Sequence, residues 1–549
     1  MTTILDIRNL TIALPAQADR DTALDSVSLQ LHAGEILCVV GESGSGKSVT
    51  AGAILQLLPS ALSVRSGQVL FEGQDLLSAS PKTLRTIRGA RIGMIFQEPM
   101  TALNPLHTIG RQIGEVFRIH TSLRRADIDA RVQALLIDVG LPDPTRIQHA
   151  YPHELSGGQR QRAMIAMALA LDPAVLIADE PTTALDVTTQ ARVLTLIREL
   201  QARRGTAVLF ITHDFGVVAD IADRVTVMQH GKVVEQGLAG QVLDQPTHPY
   251  TRALIAAVPG RRASARQAPL PTRSPSPPAL SVKNIVKTYT RGGFARHTRV
   301  THALRGVSLC VARGETLGIV GESGSGKSTL ARCLMHLTDI DSGTIQVGDT
   351  ALTSLSPRQR RARAAIIQMV FQDPQGSLNP RRTVGDLIAQ GPRIQGVPAH
   401  EAHARARELL DLVGLPANAF DRYPHAFSGG QRQRIGLARA LALNPQVLVA
   451  DEPVSALDVS VQAQVLALLR SLKSKLALSV VFITHDLHVA AEVSDRIAVM
   501  QNGEIVEIGS AATLFAAPTH PYTRRLLASV AGRGWLEQHT HEIAPALAA

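Results

Sequence analysis

Cysteine is scarce: Cys38, Cys310 and Cys333 are the only three in 549 residues, and no C-x-x-C pair occurs. That excludes a disulfide framework and a zinc-ribbon type of site, and it fits a reducing compartment. Cys38 lies in an apolar run and is expected to be a small core residue. Apolar runs of about 18 residues, the length that spans a bilayer as a helix, are also missing. The N-terminus has no basic stretch followed by an apolar core, so no secretory signal is expected. Any membrane role is therefore expected to come through partners. No Phe, Tyr or Trp precedes Phe71, which leaves the first strands without a ring to stack on a ligand.

What is present is globular in balance, with 45% apolar and 19% charged residues. The length is too great for one core and predicts about two to four domains. A formal charge of +10 and a pI near 9.9 suit nucleic acid or an anionic membrane surface as neighbours. The basic residues are scattered, however, and a short run such as Arg358 to Arg363 reads as a solvated face.

The stretch Gly41-Glu42-Ser43-Gly44-Ser45-Gly46-Lys47-Ser48 fits the phosphate-binding loop G-x-x-x-x-G-K-[ST]. An apolar run, Ile36 to Val40, leads in, and a helix-forming run, Val49 to Leu58, leads out. Glycines let backbone N–H groups turn toward phosphates, and the helix N-terminus adds the positive end of its dipole. Lys47 supplies a mobile cation and the Ser48 hydroxyl a ligand for Mg²⁺. The same eight letters return as Gly321-Glu322-Ser323-Gly324-Ser325-Gly326-Lys327-Ser328, so two nucleoside triphosphate sites are expected.

The repeat extends beyond the loop. Val175 to Ala178 runs into Asp179-Glu180, and Val447 to Ala450 runs into Asp451-Glu452. Between the copies, Arg261 to Pro278 includes Ser274-Pro275-Ser276-Pro277-Pro278 and almost nothing apolar, the composition of a tether. Residues 1–260 are thus expected to form one domain, 261–278 a linker and 279–549 a second domain. Val175–Ala178 and Ala207–Ile211 are short apolar runs suited to strands buried on both faces. Thr188 to Leu200 places Val193, Leu196, Ile197 and Leu200 on one helical face, with Arg192 and Glu199 free to face water. Strand and helix alternate, which predicts an α/β core with a parallel sheet and ligands at its carboxyl edge. Asp179 and Asp451, at the ends of buried strands, suit a hold on Mg²⁺. Glu180 and Glu452 stand where a carboxylate polarises a water for attack on a γ-phosphate.

Leu155-Ser156-Gly157-Gly158-Gln159 recurs as Phe427-Ser428-Gly429-Gly430-Gln431. A serine hydroxyl with glycine amides at a helix start makes a second anion site, and the motif resembles the signature of ABC transporter ATPases. The resemblance covers nearly the whole chain. It implies two tandem ABC-type nucleotide-binding domains, each with a helical subdomain, that bind ATP with Mg²⁺. It also implies that the two pair head to tail, each signature closing on the other's nucleotide. Gln97 and Gln372 look like the glutamines that contact Mg²⁺ or the attacking water. Leu185-Asp186 and Leu457-Asp458 resemble the D-loops, and His213 and His485 the histidines that contact the γ-phosphate. Tyr289, five residues after Asn284, resembles the adenine-stacking aromatic, while the parallel count from Asn9 reaches Leu14.

Phe96-Gln97-Glu98-Pro99 with Leu103-Asn104-Pro105 recurs as Phe371-Gln372-Asp373-Pro374 with Leu378-Asn379-Pro380. Pro246-Thr247-His248-Pro249-Tyr250-Thr251 recurs as Pro518-Thr519-His520-Pro521-Tyr522-Thr523. Both resemble ATPases of oligopeptide, dipeptide and nickel importers, and the fused pair is most similar to the Yej-type peptide and microcin C branch, with glutathione importers close behind. The resemblance implies two integral-membrane permease subunits as partners, contacted by the inserts after Gln97 and Gln372. It further implies an external solute-binding protein acting indirectly, and a peripheral place on the cytoplasmic face of the inner membrane. No iron–sulfur cluster is expected, because no cysteine follows Tyr250 or Tyr522 in the manner of clustered relatives. The rival is a soluble twin-cassette ATPase working on ribosomes or nucleic acid. It fares worse because the zinc cysteines of the repair type and the long charged linker of the ribosomal type are missing, so no nucleic-acid partner is expected.

Overall fold

The computed structural model describes residues 2–16, 20–97, 102–182, 185–259, 277–291, 299–455 and 457–540. The expected tether 261–278 lies outside the described residues except for Pro277 and Pro278, and so do Glu98 and Pro99 of the first glutamine motif. The chain divides into two compact units, one built on Met1–Val258 together with Ala531–His541, the other on Pro259–Val530.

The first unit opens with β1 (Thr3–Ala13), β2 (Thr22–His32) and β3 (Ile36–Val40), followed by β4 (Ser63–Phe71), β5 (Gln74–Asp75) and β6 (Ile92–Ile95). Its later strands are β7 (Val175–Asp179), β8 (Ala207–Ile211), β9 (Arg224–Gln229) and β10 (Lys232–Leu238). An antiparallel sheet has the order β2-β1-β4-β5, and a six-stranded sheet the order β10-β9-β3-β8-β7-β6. In the latter, β3 pairs in parallel with β8 and β9, β7 pairs in parallel with β6 and β8, and β10 closes the edge antiparallel. Every residue of β3, β7 and β8 is buried, which is why these strands read as unbroken apolar runs. Cys38 is fully buried among them.

Between β6 and β7 lies the helical insert, with helices Ile109–His120, Arg125–Asp138, Pro144–His149 and Gly157–Ala168. Between β7 and β8 the helix Val187–Arg204 buries Val193, Leu196, Ile197 and Leu200, as its spacing predicts. Asp186 caps its start by accepting from Thr189 N–H, and Gly205 in the left-handed region ends it.

The helix after the first phosphate loop is shorter than its sequence suggests. It runs Lys47–Ile54, not to Leu58, because Gln56 takes a left-handed φ of 49° and turns the chain away.

The second unit repeats this plan. Its strands are β11 (Leu280–Arg291), β12 (Arg299–Val311), β13 (Thr316–Val320), β14 (Ser342–Val347), β15 (Thr350–Ala351) and β16 (Ile367–Val370). β17 (Val447–Asp451), β18 (Ser479–Ile483), β19 (Arg496–Gln501) and β20 (Glu504–Ser510) complete it. The sheet orders are β12-β11-β14-β15 and β16-β17-β18-β13-β19-β20. Its insert carries helices Val384–Ile394, Ala399–Leu412 and Gly429–Leu441, whose apolar faces share one core with β17 and β18. In both units the loops leaving the carboxyl ends of the central strands therefore converge on one edge of the sheet, where a doubly wound fold binds ligands.

Candidate functional site

The phosphate loop leaves β3 through Gly41, which has φ 151°; a Cβ there would come within 2.2 Å of the Met228 carbonyl oxygen on β9. Gly321 repeats this against Met500. Only glycine allows the loop to pass so close to the neighbouring strand. The loop ends on Gly46, which caps the helix Lys47–Ile54 without a side-chain hydrogen bond and with no acidic residue in its first turn. The N–H groups of that turn are thus left for an anion, on the positive end of the helix dipole. Lys47 is buried, and its Nζ donates to the carbonyls of Gly41 at 2.7 Å and Glu42 at 2.9 Å. Lys327 does the same with Gly321 and Glu322, at 2.7 and 2.8 Å.

The acidic pair closes β7 and β17. Ser48 Oγ donates to Asp179 Oδ1 at 3.0 Å, so the serine of the loop and the strand-end carboxylate meet. Burial pushes Asp179 up to about 6 despite that bond, and burial does the same to Asp451. Asp451 Oδ1 is buried with no hydrogen-bond partner, an acceptor that a cation or its bound water would satisfy. Among the described residues no group of three or more His, Cys, Asp or Glu forms a metal cage. Mg²⁺ is held by one or two carboxylates together with substrate phosphates and water. The residues present fit the ion.

Next to these aspartates, Glu180 and Glu452 adopt φ values of 45° and 46°, left-handed geometry that is uncommon for a residue with a side chain. Their N–H groups hold the turn by donating to Ile211 at 3.0 Å and Ile483 at 2.9 Å, which extends the pairing of β7 with β8 and β17 with β18 by one bond. The bend sends each carboxylate out to a glutamine and a histidine. Gln97 Nε2 donates to Glu180 Oε2 at 3.0 Å, and His213 Nδ1 stands 3.5 Å from Glu180 Oε1. In the second unit Gln372 Nε2 donates to Glu452 Oε2 at 2.8 Å, and His485 Nδ1 lies 3.2 Å from Oε1. Burial works against both imidazolium ions, yet the bond to the glutamate and its charge outweigh burial and raise both histidines. Reciprocally, burial favours neutral Glu452, but His485 outweighs it and holds that carboxyl below its ordinary range. The carboxylate is therefore ionised at neutral pH, the form that orients and accepts a proton from water.

The signature turn is a separate element. Ser156 Oγ accepts from Gln159 N–H at 3.3 Å, and Ser156 N–H donates to Gln159 Oε1 at 3.0 Å, a reciprocal capping box. Ser428 and Gln431 repeat it at 3.3 and 3.0 Å. With its oxygen accepting, each serine keeps its hydroxyl proton for another acceptor. Gly430 packs so tightly that a Cβ would meet Val461 Cγ1 at 2.1 Å, and Gly158 would meet Thr189. Among the described residues no hydrogen bond joins Ser156, Gly157 or Gly158 to the phosphate loop of their own unit. Gln161, one turn on, donates to the Pro181 carbonyl beside Glu180, linking the signature helix to the acidic turn. Asp186 and Asp458 serve as helix caps, accepting from Thr189 and Val461 N–H at 2.9 and 3.1 Å.

Tyr289 stands half-exposed on β11 with Lys287 Nζ 5.6 Å from its ring centroid. Leu14 holds the matching place: its N–H donates to Asp21 on the opposite chain segment, as Tyr289 pairs with Thr301. Sequence reasoning missed Tyr250 and Tyr522 as site residues. Glu42 N–H donates to Tyr250 Oη at 3.1 Å and Glu322 N–H to Tyr522 Oη at 3.0 Å, which ties both phosphate loops to the later Pro-Thr-His-Pro-Tyr-Thr segments. The only signal was that each segment recurs intact.

Family profiles agree with this geometry. The ABC transporter profile matches residues 24–183 and 304–455, and the profile for the C-terminal region of oligopeptide/dipeptide transporters matches 234–285 and 506–544. The glutathione import ATP-binding protein GsiA of Escherichia coli strain K12 is 47% identical over 96% of this chain and 89% of its own length. The peptidoglycan transport ATP-binding protein YejF of Agrobacterium fabrum is also 47% identical, over 96% of each chain.

Proposed function

The chain belongs to the ABC transporter family as an ATP-hydrolysing subunit that energises solute import through separate membrane permeases, and from that premise we propose how its residues divide the work. The observation that carries the proposal is the duplicated cluster in which a glutamate at the end of a buried strand meets a glutamine amide and a histidine beside the phosphate loop. Lys47 and Lys327, with the amides of residues 41–48 and 321–328, hold the phosphates of ATP. Ser48, Ser328, Asp179, Asp451, Gln97 and Gln372 would hold Mg²⁺, whose charge offsets that of the phosphate oxygens. Glu180 and Glu452 orient the attacking water and take its proton late, as suits a loose phosphoryl-transfer transition state. His213 and His485 donate toward the γ-phosphate while fixing the glutamate beside them. Ser156 and Ser428, with Gly157, Gly158, Gln159, Gly429, Gly430 and Gln431, supply the second anion contact.

The same proposal covers the coarser architecture. Residues 1–260 form one cassette, 261–278 a linker, and the second cassette starts at 279. Two permease subunits receive the helical inserts, and the chain sits peripherally on the cytoplasmic face of the inner membrane, served by an external solute-binding protein. The names of GsiA and YejF point to a cargo in the class of short peptides, glutathione or peptidoglycan fragments. Reconstitution tests this: the chain is purified with the membrane proteins that accompany it, placed in vesicles, and assayed for ATP-dependent uptake of labelled glutathione, tripeptide and muropeptide. Copurification with ribosomes or nucleic acid, and no stimulation of ATP turnover by permeases, would overturn the importer reading.

A further inference from the structure

One peptide plane in each phosphate loop is held from both ends. Lys47 Nζ donates to the Gly41 carbonyl at 2.7 Å, and the N–H of the same peptide group, on Glu42, donates to Tyr250 Oη at 3.1 Å. The second unit repeats both contacts, at 2.7 Å from Lys327 and 3.0 Å to Tyr522. The tyrosine is itself braced. It lies at the start of the helix Pro249–Ala256, where His248 Nδ1 accepts from Tyr250 N–H at 3.2 Å. The residues before it are fixed by Glu235 on β10, which accepts from Thr247 N–H at 2.7 Å, Thr247 Oγ1 at 2.8 Å and His248 N–H at 3.2 Å. On β20, Glu507 holds Thr519 and His520 in the same way, at 2.8, 2.8 and 3.0 Å. A strand carboxylate, a Thr-His turn, a tyrosine and a phosphate-loop amide thus form one connected brace, built twice from the same residue types.

We propose that the Pro-Thr-His-Pro-Tyr-Thr segment is a strut that sets the phosphate loop for its triphosphate, with Tyr250 and Tyr522 as positioning residues. A lysine that swings to the phosphates gives up its hold on the Gly41 or Gly321 carbonyl. The tyrosine hydroxyl then fixes the orientation of that peptide plane. Without it the plane is free to rotate and turn its carbonyl oxygen, the negative end of the peptide dipole, toward the phosphates. The strut is thus needed most when nucleotide is bound. It acts through the loop and touches no reacting atom, since the hydroxyl is already engaged by the Glu42 or Glu322 amide.

The inference rests on reading residues 41–48 and 321–328 as ATP cradles. Its test is the full chain carrying Tyr250→Phe and Tyr522→Phe, which removes one oxygen from each brace and keeps the rings. The expected result is a KM for ATP raised about tenfold, the size of an unmade hydrogen bond to a half-buried amide, with kcat within about twofold of the parent. The glutamate, glutamine and histidine that meet the water are untouched, so saturating ATP restores turnover. A fall in kcat at unchanged KM, the mark of partly inactive protein, overturns the proposal, as does no change in either. Should the double variant fail to fold, Tyr522→Phe in a chain whose other site is silenced by Lys47→Ala carries the same roughly tenfold loss in mant-ATP titration, and an affinity equal to that of Lys47→Ala alone overturns it. A parent chain that hydrolyses no ATP would sink the ATPase reading itself, a failure distinct from these.

Discussion

Replacing Glu180 and Glu452 together by Gln isolates the charge of the proposed water-orienting groups. The structure predicts a small structural cost. Glutamine keeps an oxygen to accept from Gln97 or Gln372, whose amides now reach Glu180 and Glu452 at 3.0 and 2.8 Å. Its amide group faces His213 or His485, which stand 3.5 and 3.2 Å from the other oxygen. A charge-assisted bond becomes a neutral one, a loss of about 1 kcal/mol, partly offset because no buried charge remains. The chemical cost is larger. A positioned general base contributes about 10²- to 10⁴-fold, or roughly 2.7–5.5 kcal/mol of barrier at 1.36 kcal/mol per decade. Phosphate release from the purified full chain should therefore fall at least about a hundredfold, while mant-ATP affinity stays within about threefold, worth under ~1 kcal/mol. Turnover above about a tenth of the parent, less than ~1.4 kcal/mol, would show that another group activates the water. A companion variant separates charge from strain. Glu452→Gly relieves the left-handed φ of 46°, so it should abolish turnover while costing the fold little or even stabilising it by up to about 1 kcal/mol.

Two further outcomes follow from contacts outside that cluster. Tyr289→Ala should weaken ATP at the Lys327 site by about 1–2 kcal/mol, the lower part of the range for a stacked base. Leu14→Ala should leave the Lys47 site within about twofold, so equal losses in mant-ATP titrations of Lys47→Ala and Lys327→Ala chains would refute a base stacked on Tyr289 alone. Glu507 gives a pH test: burial favours its neutral acid, but the Thr523 hydroxyl, with the bonds from Thr519 and His520, outweighs it and brings the carboxyl from 4.5 down to about 2. A lowered carboxylate contributes stability that is fully present above its unfolded value and is lost as pH falls toward the folded one. The stability gap between the parent and Glu507→Gln should therefore hold above about pH 4.5 and close toward pH 2, and a gap that does not change with pH would disprove the assignment.

The parts of the fold that the sequence made legible are those with a period or a composition. β3, β7 and β8 are buried on both faces, so they could be read as short apolar runs, and the helix Val187–Arg204 showed its buried stripe at helical spacing. Single-residue conformations carried no such signal. Gln56 ends the helix after the phosphate loop in a left-handed turn without a glycine to announce it, and Glu180 bends the acidic turn the same way. Asp186 was read for its place in a motif, yet it also caps the next helix. Long-range single hydrogen bonds were least legible: the Glu42 amide and the Tyr250 hydroxyl lie 208 residues apart, and neither residue type predicts the other.

The duplication within one chain lets the two units be compared contact by contact. The lysine's hold on the loop, the glutamine–glutamate–histidine cluster, the capping box at the signature and the tyrosine brace all occur in both units within a few tenths of an ångström. The units differ where a base and a cation would be held. Tyr289 stands opposite Thr301 while Leu14 stands opposite Asp21, and Ser48 bonds Asp179 while Asp451 Oδ1 is left without a partner. Phosphate chemistry tolerates little variation because several donors must point at one set of oxygens. Base stacking can vary, because it adds affinity without setting the geometry of the reacting atoms. Two sites with the same catalytic groups and unequal nucleotide affinity would fill in order as ATP rises, the first-filled being the one that carries Tyr289.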